Sequence, residues 1–403
     1  MDARRIAGAI ARVLVALLSV TVLVAAGSGW YLQRQLRGGT VTSDALTRVE
    51  PIPEGEPFTA LLVGLDARTD ASGNPLPRSV LDALHAGPDE GQLHTDTMIL
   101  LRVPGRAGGP ATAISIPRDS YVQIAGGRSK HKINSAYRRG LEQAEDQLTA
   151  QGIRGAELDR RGREAGRQKL IATVEKLTGT PIDHFAEINL AGFVELTEAL
   201  GGVSVCLNEA VQDAYSGVDL PAGPQSVSGV AALAFVRQRH GLDGGDLDRI
   251  ARQQAFAAGL AQRLQSTGTL TDADRLDRLV GVVSRHVVLD RGWDLDQALS
   301  QLRRFTGEDL IFRTIPTGRP DLQTPVDGVA VQVDEDEVRD FVASVLDPAA
   351  LATPPAVTFA PATTALPTDA AGSPDGATAA RPEAAEPPTT AQVITADGIP
   401  CVD

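Results

Sequence analysis

The chain has 403 residues, with 38 Lys and Arg against 51 Asp and Glu and a formal net charge of −13. That acidic balance excludes the basic face of a nucleic-acid binder. With 42% apolar and 22% charged residues the chain can build a sizeable core, whereas two Cys and six His are too few for a zinc cluster or a disulfide scaffold.

From Ile6 to Trp30 the chain is almost wholly apolar or small, broken by Arg12 and preceded by Arg4 and Arg5. A run of about 20 apolar residues spans a bilayer and flanking cations stay cytoplasmic. The expectation is therefore a single-pass plasma-membrane anchor over residues 1–31, with the rest extracytoplasmic. A cleaved signal peptide is the alternative, since Ala25-Ala26-Gly27 is a passable cleavage context. Residues 32–55 read as a polar tether, and folding signal begins at Phe58.

A catalytic-sized domain is expected over residues 56–346. Phe58–Gly64 is a short continuous apolar run, as in a strand buried on both faces, and Met98–Val103 and Ala111–Ile116 read likewise. Residues 67–94 read as a long loop. Helical spacing predominates between 134 and 178, ending at Gly179, and again over Ile188–Gly202. Val203–Leu207 reads as a strand, Ala231–Arg239 as strand-like or mixed, and Leu247–Gln265 as a helix. Strands alternating with helices imply a layered α/β domain. Residues 347–390 are an Ala/Pro/Thr-rich spacer, and the tail over 391–403 regains strand character. Cys206 and Cys401 are natural disulfide partners in an oxidising compartment, the alternative being two separate thiols.

Asp66, Asp96 and Asp119 sit near strand ends. If neighbouring strands are antiparallel, all three carboxylates fall on one edge of the sheet, where their mutual repulsion suits a hard cation such as Mg²⁺. The other reading is turn punctuation. A cationic set accompanies them: Arg118, Lys132 with Asn134, Arg237 and Arg239 in FVRQRH, and Arg249, Arg252 and Gln253 on the helix opened by Asp246. Positions 246, 249 and 253 share one face of that helix, and Ile250, Ala257, Leu260 and Leu264 form an apolar stripe taken to lie opposite. Alternation would point Arg237 and Arg239 to one side of an extended segment. Converging Arg forks suit phosphate oxygens, although a solvated, ion-paired face would look the same.

The motifs Gly64-Leu65-Asp66-Ala67-Arg68, Thr95-Asp96-Thr97-Met98, Ser115-Ile116-Pro117-Arg118-Asp119 and Lys132-Ile133-Asn134-Ser135-Ala136-Tyr137 occur in that order. Ile182-Asp183-His184-Phe185, Val236-Arg237-Gln238-Arg239, Gly245-Asp246-Leu247-Asp248-Arg249 and Arg252-Gln253-Gln254 follow. Together, over about Phe58–Gln265, this set resembles the LytR-CpsA-Psr family, and the short-tether anchor, the low-complexity spacer and the terminal Asp397-Gly398-Ile399-Pro400-Cys401-Val402 look like its actinobacterial members. The resemblance implies an α-β-α layered domain with a central mixed, partly antiparallel sheet. It also implies transfer of a glycopolymer, arabinogalactan first among candidates, from a polyprenyl-pyrophosphate carrier to the muramic acid C6 hydroxyl of peptidoglycan. Asp66 and Asp96 would hold Mg²⁺, with Mn²⁺ the alternate, and Arg118, Arg237, Arg239, Arg249 and Gln253 would grip the pyrophosphate, oriented by Asp246. Arg68, His94, Lys132, Asn134 and Arg252 complete the expected substrate set. His94 stands where many members carry Arg. Asp119 is the first candidate for general base and Asp246 the second. An apolar lipid groove is expected from helices within 164–202. A pyrophosphohydrolase and a non-catalytic lipid-glycan binding module are the competing functions.

Overall fold

The computed structural model describes residues 41–46, 52–53, 55–87, 91, 93–105, 109–213, 215–238, 246–265, 273–293, 310–346, 394–395 and 399–403. The expected anchor over 1–31 and the spacer over 347–390 lie outside the described residues. No helix among the described residues is long and apolar enough to cross a membrane.

The short apolar runs fold as strands and the three-to-four-residue repeats as helices. In chain order they are β1 (Val41–Ser43), β2 (Phe58–Asp66), α1 (Arg78–Ala83), β3 (His94–Val103), β4 (Ala111–Ser115), β5 (Ser120–Gln123) and β6 (Lys130–Lys132). Next come α2 (Ala136–Ala150), α3 (Ala156–Thr178), β7 (His184–Asn189), α4 (Leu190–Ala199), β8 (Val203–Leu207), β9 (Val211–Asp213), β10 (Val218–Leu220) and β11 (Gly223–Val227). The second half holds α5 (Gly229–Arg237), α6 (Asp246–Gln265), α7 (Ala273–His286), β12 (Val287–Asp290), β13 (Leu310–Thr314), β14 (Leu322–Thr324), β15 (Gly328–Gln332) and α8 (Glu335–Leu346). Two tail strands, β16 (Ile394–Thr395) and β17 (Cys401–Val402), complete the set.

The main sheet has eight strands in the order β1-β12-β7-β2-β3-β4-β13-β16. It is mixed: β2 runs parallel to β7 and antiparallel to β3, which is antiparallel to β4. One face is packed by α2, α3 and α8, where Leu61, Val63, Met98 and Leu100 meet Tyr137, Leu170, Val174 and Val338. The helices α2 and α3 touch backbone to backbone: a Cβ at Gly140 would lie 2.6 Å from the Ala165 carbonyl oxygen. The helices α4 to α7 lie on the opposite face. This is the expected α-β-α layering.

Four expectations are corrected. Residues 41–46 are not tether, because β1 pairs in parallel with β12 and Ala45 and Leu46 are buried; a three-residue strand is too short for periodicity to register. Ile188 belongs to β7, since Asn189 ends the strand and caps α4 by accepting from Gly192 N at 2.7 Å. The third strand begins at His94 rather than Met98. Residues 231–237 are helical, not extended, as the strong helix formers Ala231, Ala232, Leu233 and Ala234 dictate. The tail does dock on the domain: β17 runs parallel to β8 with Cys401 opposite Cys206, and the two cysteines form a disulfide.

Candidate functional site

The β2–β3 ladder places the first two carboxylates. Regular pairing would put Asp96 on the packed face with Met98 and Leu100, but the register shifts between Gly64 and Leu65: Gly64 faces Thr97 and Leu65 faces Thr95. Asp96 is the extra residue of this bulge, and the kink turns it to the face opposite the packed core, beside Asp66. Burial is the main cause that raises the Asp66 carboxyl above its ordinary range; the charge of Asp96 adds to it, and Arg68 and Arg237 oppose it. Oδ1 of Asp66 is buried and receives no hydrogen bond, although Arg68 Nη1 lies 3.1 Å away as an ion pair.

Cations surround the pair. Arg118, itself buried, reaches Asp96 at 2.9 Å and Asp119 at 3.7 Å, and Lys132 reaches Asp119 at 3.2 Å. Asp119 therefore lies at the same sheet edge, one step behind Asp96. Across the mouth, Arg237 ends α5, and Arg249 and Gln253 stand one turn apart on α6.

These groups open into a cavity of about 550 Å³. Its floor is the alternate face of the sheet, Leu62, Ile99, Ala186 and Ile188, and its walls come from α4 (Leu190, Phe193, Leu196), α5 (Leu233, Val236) and α6 (Phe256, Ala257, Leu260). Arg249, Gln253, Phe256, Ala257 and Leu260 all line it. At 100° per residue they form one face of α6, cationic at its start and apolar about two to three turns later. Such a face can hold an amphiphile whose anionic head sits at the mouth and whose tail lies inside.

Of the expected site residues, Asp66, Asp96, Arg237, Arg249 and Gln253 line the cavity together. Arg118, Asp119 and Lys132 form the ion-paired rank behind Asp96. Arg68 is buried and spends its fork on the Ala86 carbonyl at 2.7 and 3.1 Å, so it braces Asp66. His94 opens β3 opposite Asp66. Asn134 is buried, and its backbone N–H donates to the Arg118 carbonyl at 3.1 Å. Arg252 departs from expectation. It is fully buried off the cavity, over the Phe235 ring, with its guanidinium donating to Gln238 Oε1 and the Asp403 carbonyl; it joins α5, α6 and the tail. Arg239 and the side chain of Asp246 lie outside the described residues.

The apolar stripe expected opposite Arg249 is not opposite: Ala257 and Leu260 share its face. Helix α3 packs on the other side of the sheet, so within residues 164–202 the cavity wall comes from β7 and α4. Sequence reasoning also missed Asp213, Tyr215 and Ser216, which line the cavity from the β9–β10 turn. The spacing from Arg249 to Leu260 was a readable signal for the cavity; nothing local marked the turn.

A profile of the LytR_cpsA_psr family matches residues 34–343. The cell wall biosynthesis protein LcpA of Corynebacterium glutamicum is 40% identical over 349 residues, covering 84% of this chain and 66% of LcpA, so the chain spans just under two thirds of that relative. The polyisoprenyl-teichoic acid–peptidoglycan teichoic acid transferase TagU of Bacillus subtilis is 24% identical over 254 residues, 63% of this chain and 67% of TagU. The fold is similar to the crystal structure of B. subtilis TagV, with a TM-score of 0.52 at 22% identity over 72% of this chain and 98% of TagV. The profile covers most of the chain and both faces of its sheet, and the chain belongs to the LytR_cpsA_psr family.

Proposed function

We propose that the protein is a membrane-anchored phosphotransferase on the cell-wall side of the plasma membrane. It moves a glycopolymer, arabinogalactan in our reading, from a polyprenyl-pyrophosphate carrier to the muramic acid C6 hydroxyl of peptidoglycan. One observation carries this reading: the carboxylate and arginine mouth is continuous, along a single face of α6, with an apolar cavity of about 550 Å³. The names of LcpA and TagU, a cell wall biosynthesis protein and a teichoic acid transferase, support it.

The residues present fit a hard divalent cation. Asp66 and Asp96 offer carboxylate oxygens, Asp66 Oδ1 is buried without a hydrogen bond, and a cation would offset the burial and, after it, the Asp96 charge that together raise the Asp66 carboxyl. Among the described residues no third acidic, His or Cys side chain joins them, and Mg²⁺ characteristically takes one or two carboxylates together with phosphate oxygens. Mn²⁺ would suit the same donors. When bound, the ion would neutralise charge on the pyrophosphate.

In this reading Arg237, Arg249 and Gln253 orient the pyrophosphate, and Arg118 holds Asp96 in place. The muramic hydroxyl oxygen bonds to the phosphorus that carries the sugar, the bond from that phosphorus to the bridging oxygen breaks, and polyprenyl phosphate leaves. Asp119, beside Arg118, is the proposed acceptor of the hydroxyl proton. Positioning and charge stabilisation are most of what such a transfer asks of a protein.

The test supplies a lipid-linked glycan with and without peptidoglycan. Glycan appearing on peptidoglycan supports the transferase, whereas phosphate release that needs no acceptor replaces it with a hydrolase. Asp96→Ala is expected to lower transfer by about 100-fold or more. Undiminished transfer would remove Asp96 from the chemistry.

A further inference from the structure

Tyr215 is 78% exposed, more than any other large apolar side chain among the described residues, and it also lines the cavity, which places it at the rim. The chain holds four Tyr and only 4% aromatic residues. An aromatic ring kept in water beside a binding cavity, in a chain this poor in them, calls for a reason.

The turn that carries the ring is fixed on both sides. The Asp213 carboxylate accepts from Tyr215 N at 2.9 Å, Ser216 N at 3.3 Å and Ser216 Oγ at 2.7 Å, and the Asp213 carbonyl accepts from Gly217 N at 2.9 Å. The His85 ring packs on Gly217 so closely that a Cβ there would lie 3.0 Å from it. His85 has φ +47°, alone among the described non-glycine residues in the left-handed region. Such a conformation persists where its surroundings over-determine it. Here both flanking carbonyls are held by the two guanidiniums that act on Asp66. Leu84 O accepts from Arg237 Nη1 at 3.2 Å, and Ala86 O accepts from Arg68 Nη2 at 2.7 Å. The Tyr215 turn is thus joined, through one strained residue, to two of the cations that surround Asp66.

We propose that Tyr215 is a platform for the sugar ring bonded to the pyrophosphate of a lipid-linked glycan. The inference rests on the reading of the cavity as a polyprenyl-pyrophosphate site. With the prenyl tail inside and the pyrophosphate at the charged mouth, covalent connectivity places the first sugar just outside, at the rim where Tyr215 stands. The flat face of a pyranose presents C–H bonds, and these lie favourably on the electron-rich face of an aromatic ring. Tyr supplies that area at the cost of fixing two torsions. Tyr215 then reads what the carrier bears, while the arginines read the pyrophosphate common to all such carriers.

The test is calorimetric titration of the detergent-solubilised full chain with farnesyl pyrophosphate and with the same lipid bearing N-acetylglucosamine on its pyrophosphate. The wild type is expected to prefer the sugar-bearing ligand by about fivefold. Tyr215→Ala abolishes that preference by weakening the sugar-bearing ligand more than farnesyl pyrophosphate, whereas Tyr215→Trp restores it. Gly217→Ala, which pushes the His85 ring and the turn apart, also reduces it. A preference that survives Tyr215→Ala overturns the platform. So does equal weakening of both ligands, which marks a general lipid-facing role, and so does a wild type that binds both ligands alike. A wild type that binds neither ligand overturns the cavity reading and the platform with it.

Discussion

The two faces of the β2–β3 ladder use the same kind of side chain for opposite ends. On one face Leu61, Val63, Met98 and Leu100 are at most 3% exposed, packed under α2, α3 and α8. On the other, Leu62 and Ile99 are only half-buried because they border the cavity, and the strand edge there carries Asp66 and Asp96. The packed face contributes folding energy; the open face forgoes part of it to keep space and charge for a ligand. A strand that reads as buried on both sides is therefore covered by protein on one side and borders an open cavity on the other.

The largest effect expected from this contrast is on stability. Leu100→Ala on the packed face should cost about 2–5 kcal/mol in urea unfolding, from lost transfer energy and the cavity left behind. Its neighbour Ile99→Ala should cost less than about 1.5 kcal/mol, because the side chain already borders space. Equal losses would mean that the cavity face is packed as well. Ligand binding should reverse the ranking. Arg237→Ala, which removes one charge-assisted contact worth about 1.5–3 kcal/mol, should weaken farnesyl pyrophosphate binding tenfold or more, and Leu100→Ala should leave it near wild type wherever the variant is folded. Unchanged affinity in Arg237→Ala would take that arginine out of the phosphate set.

The packed face was largely legible from the chain alone. Leu170, Ile171, Val174 and Leu177 repeat at helical spacing, Gly179 stops the helix in a left-handed conformation, and both did what local rules require. The Cys206–Cys401 pairing was legible for a different reason: two cysteines leave one partner choice. The open face was half legible. Asp66, Asp96, Arg237, Arg249 and Gln253 could be named, but the bulge that turns Asp96 toward Asp66 depends on cross-strand register, which no local pattern encodes. Arg252 was misplaced because a buried guanidinium bonded to a carbonyl 151 residues away looks, in sequence, like its neighbour Arg249. Residues 231–237 read as mixed because Arg237 and Arg239 alternate, whereas the alanines before them set the helix.

The smallest effect expected is also the sharpest mark of the division between faces. In the folded chain the Asp66 carboxyl keeps its proton to higher pH than an ordinary aspartate, whose pKa is 3.8, chiefly because it is buried and secondarily because Asp96 is near. A raised carboxyl pKa means that ionising Asp66 opposes folding. The penalty is absent below pH 3.8, grows as pH rises through the window between the unfolded and folded values, and is fully present above it. In chelator, Asp66→Asn should therefore melt higher than wild type at pH 7 by a few degrees at most, and the two should converge below pH 3.8. Adding Mg²⁺ should raise the wild-type melting temperature and leave the variant where it was, closing the gap. A variant less stable than wild type at pH 7 in chelator would mean that Arg68 and Arg237 outweigh burial. Asp66 would then belong with the residues that hold the fold together, and the open face would carry no stored cost for a cation to relieve.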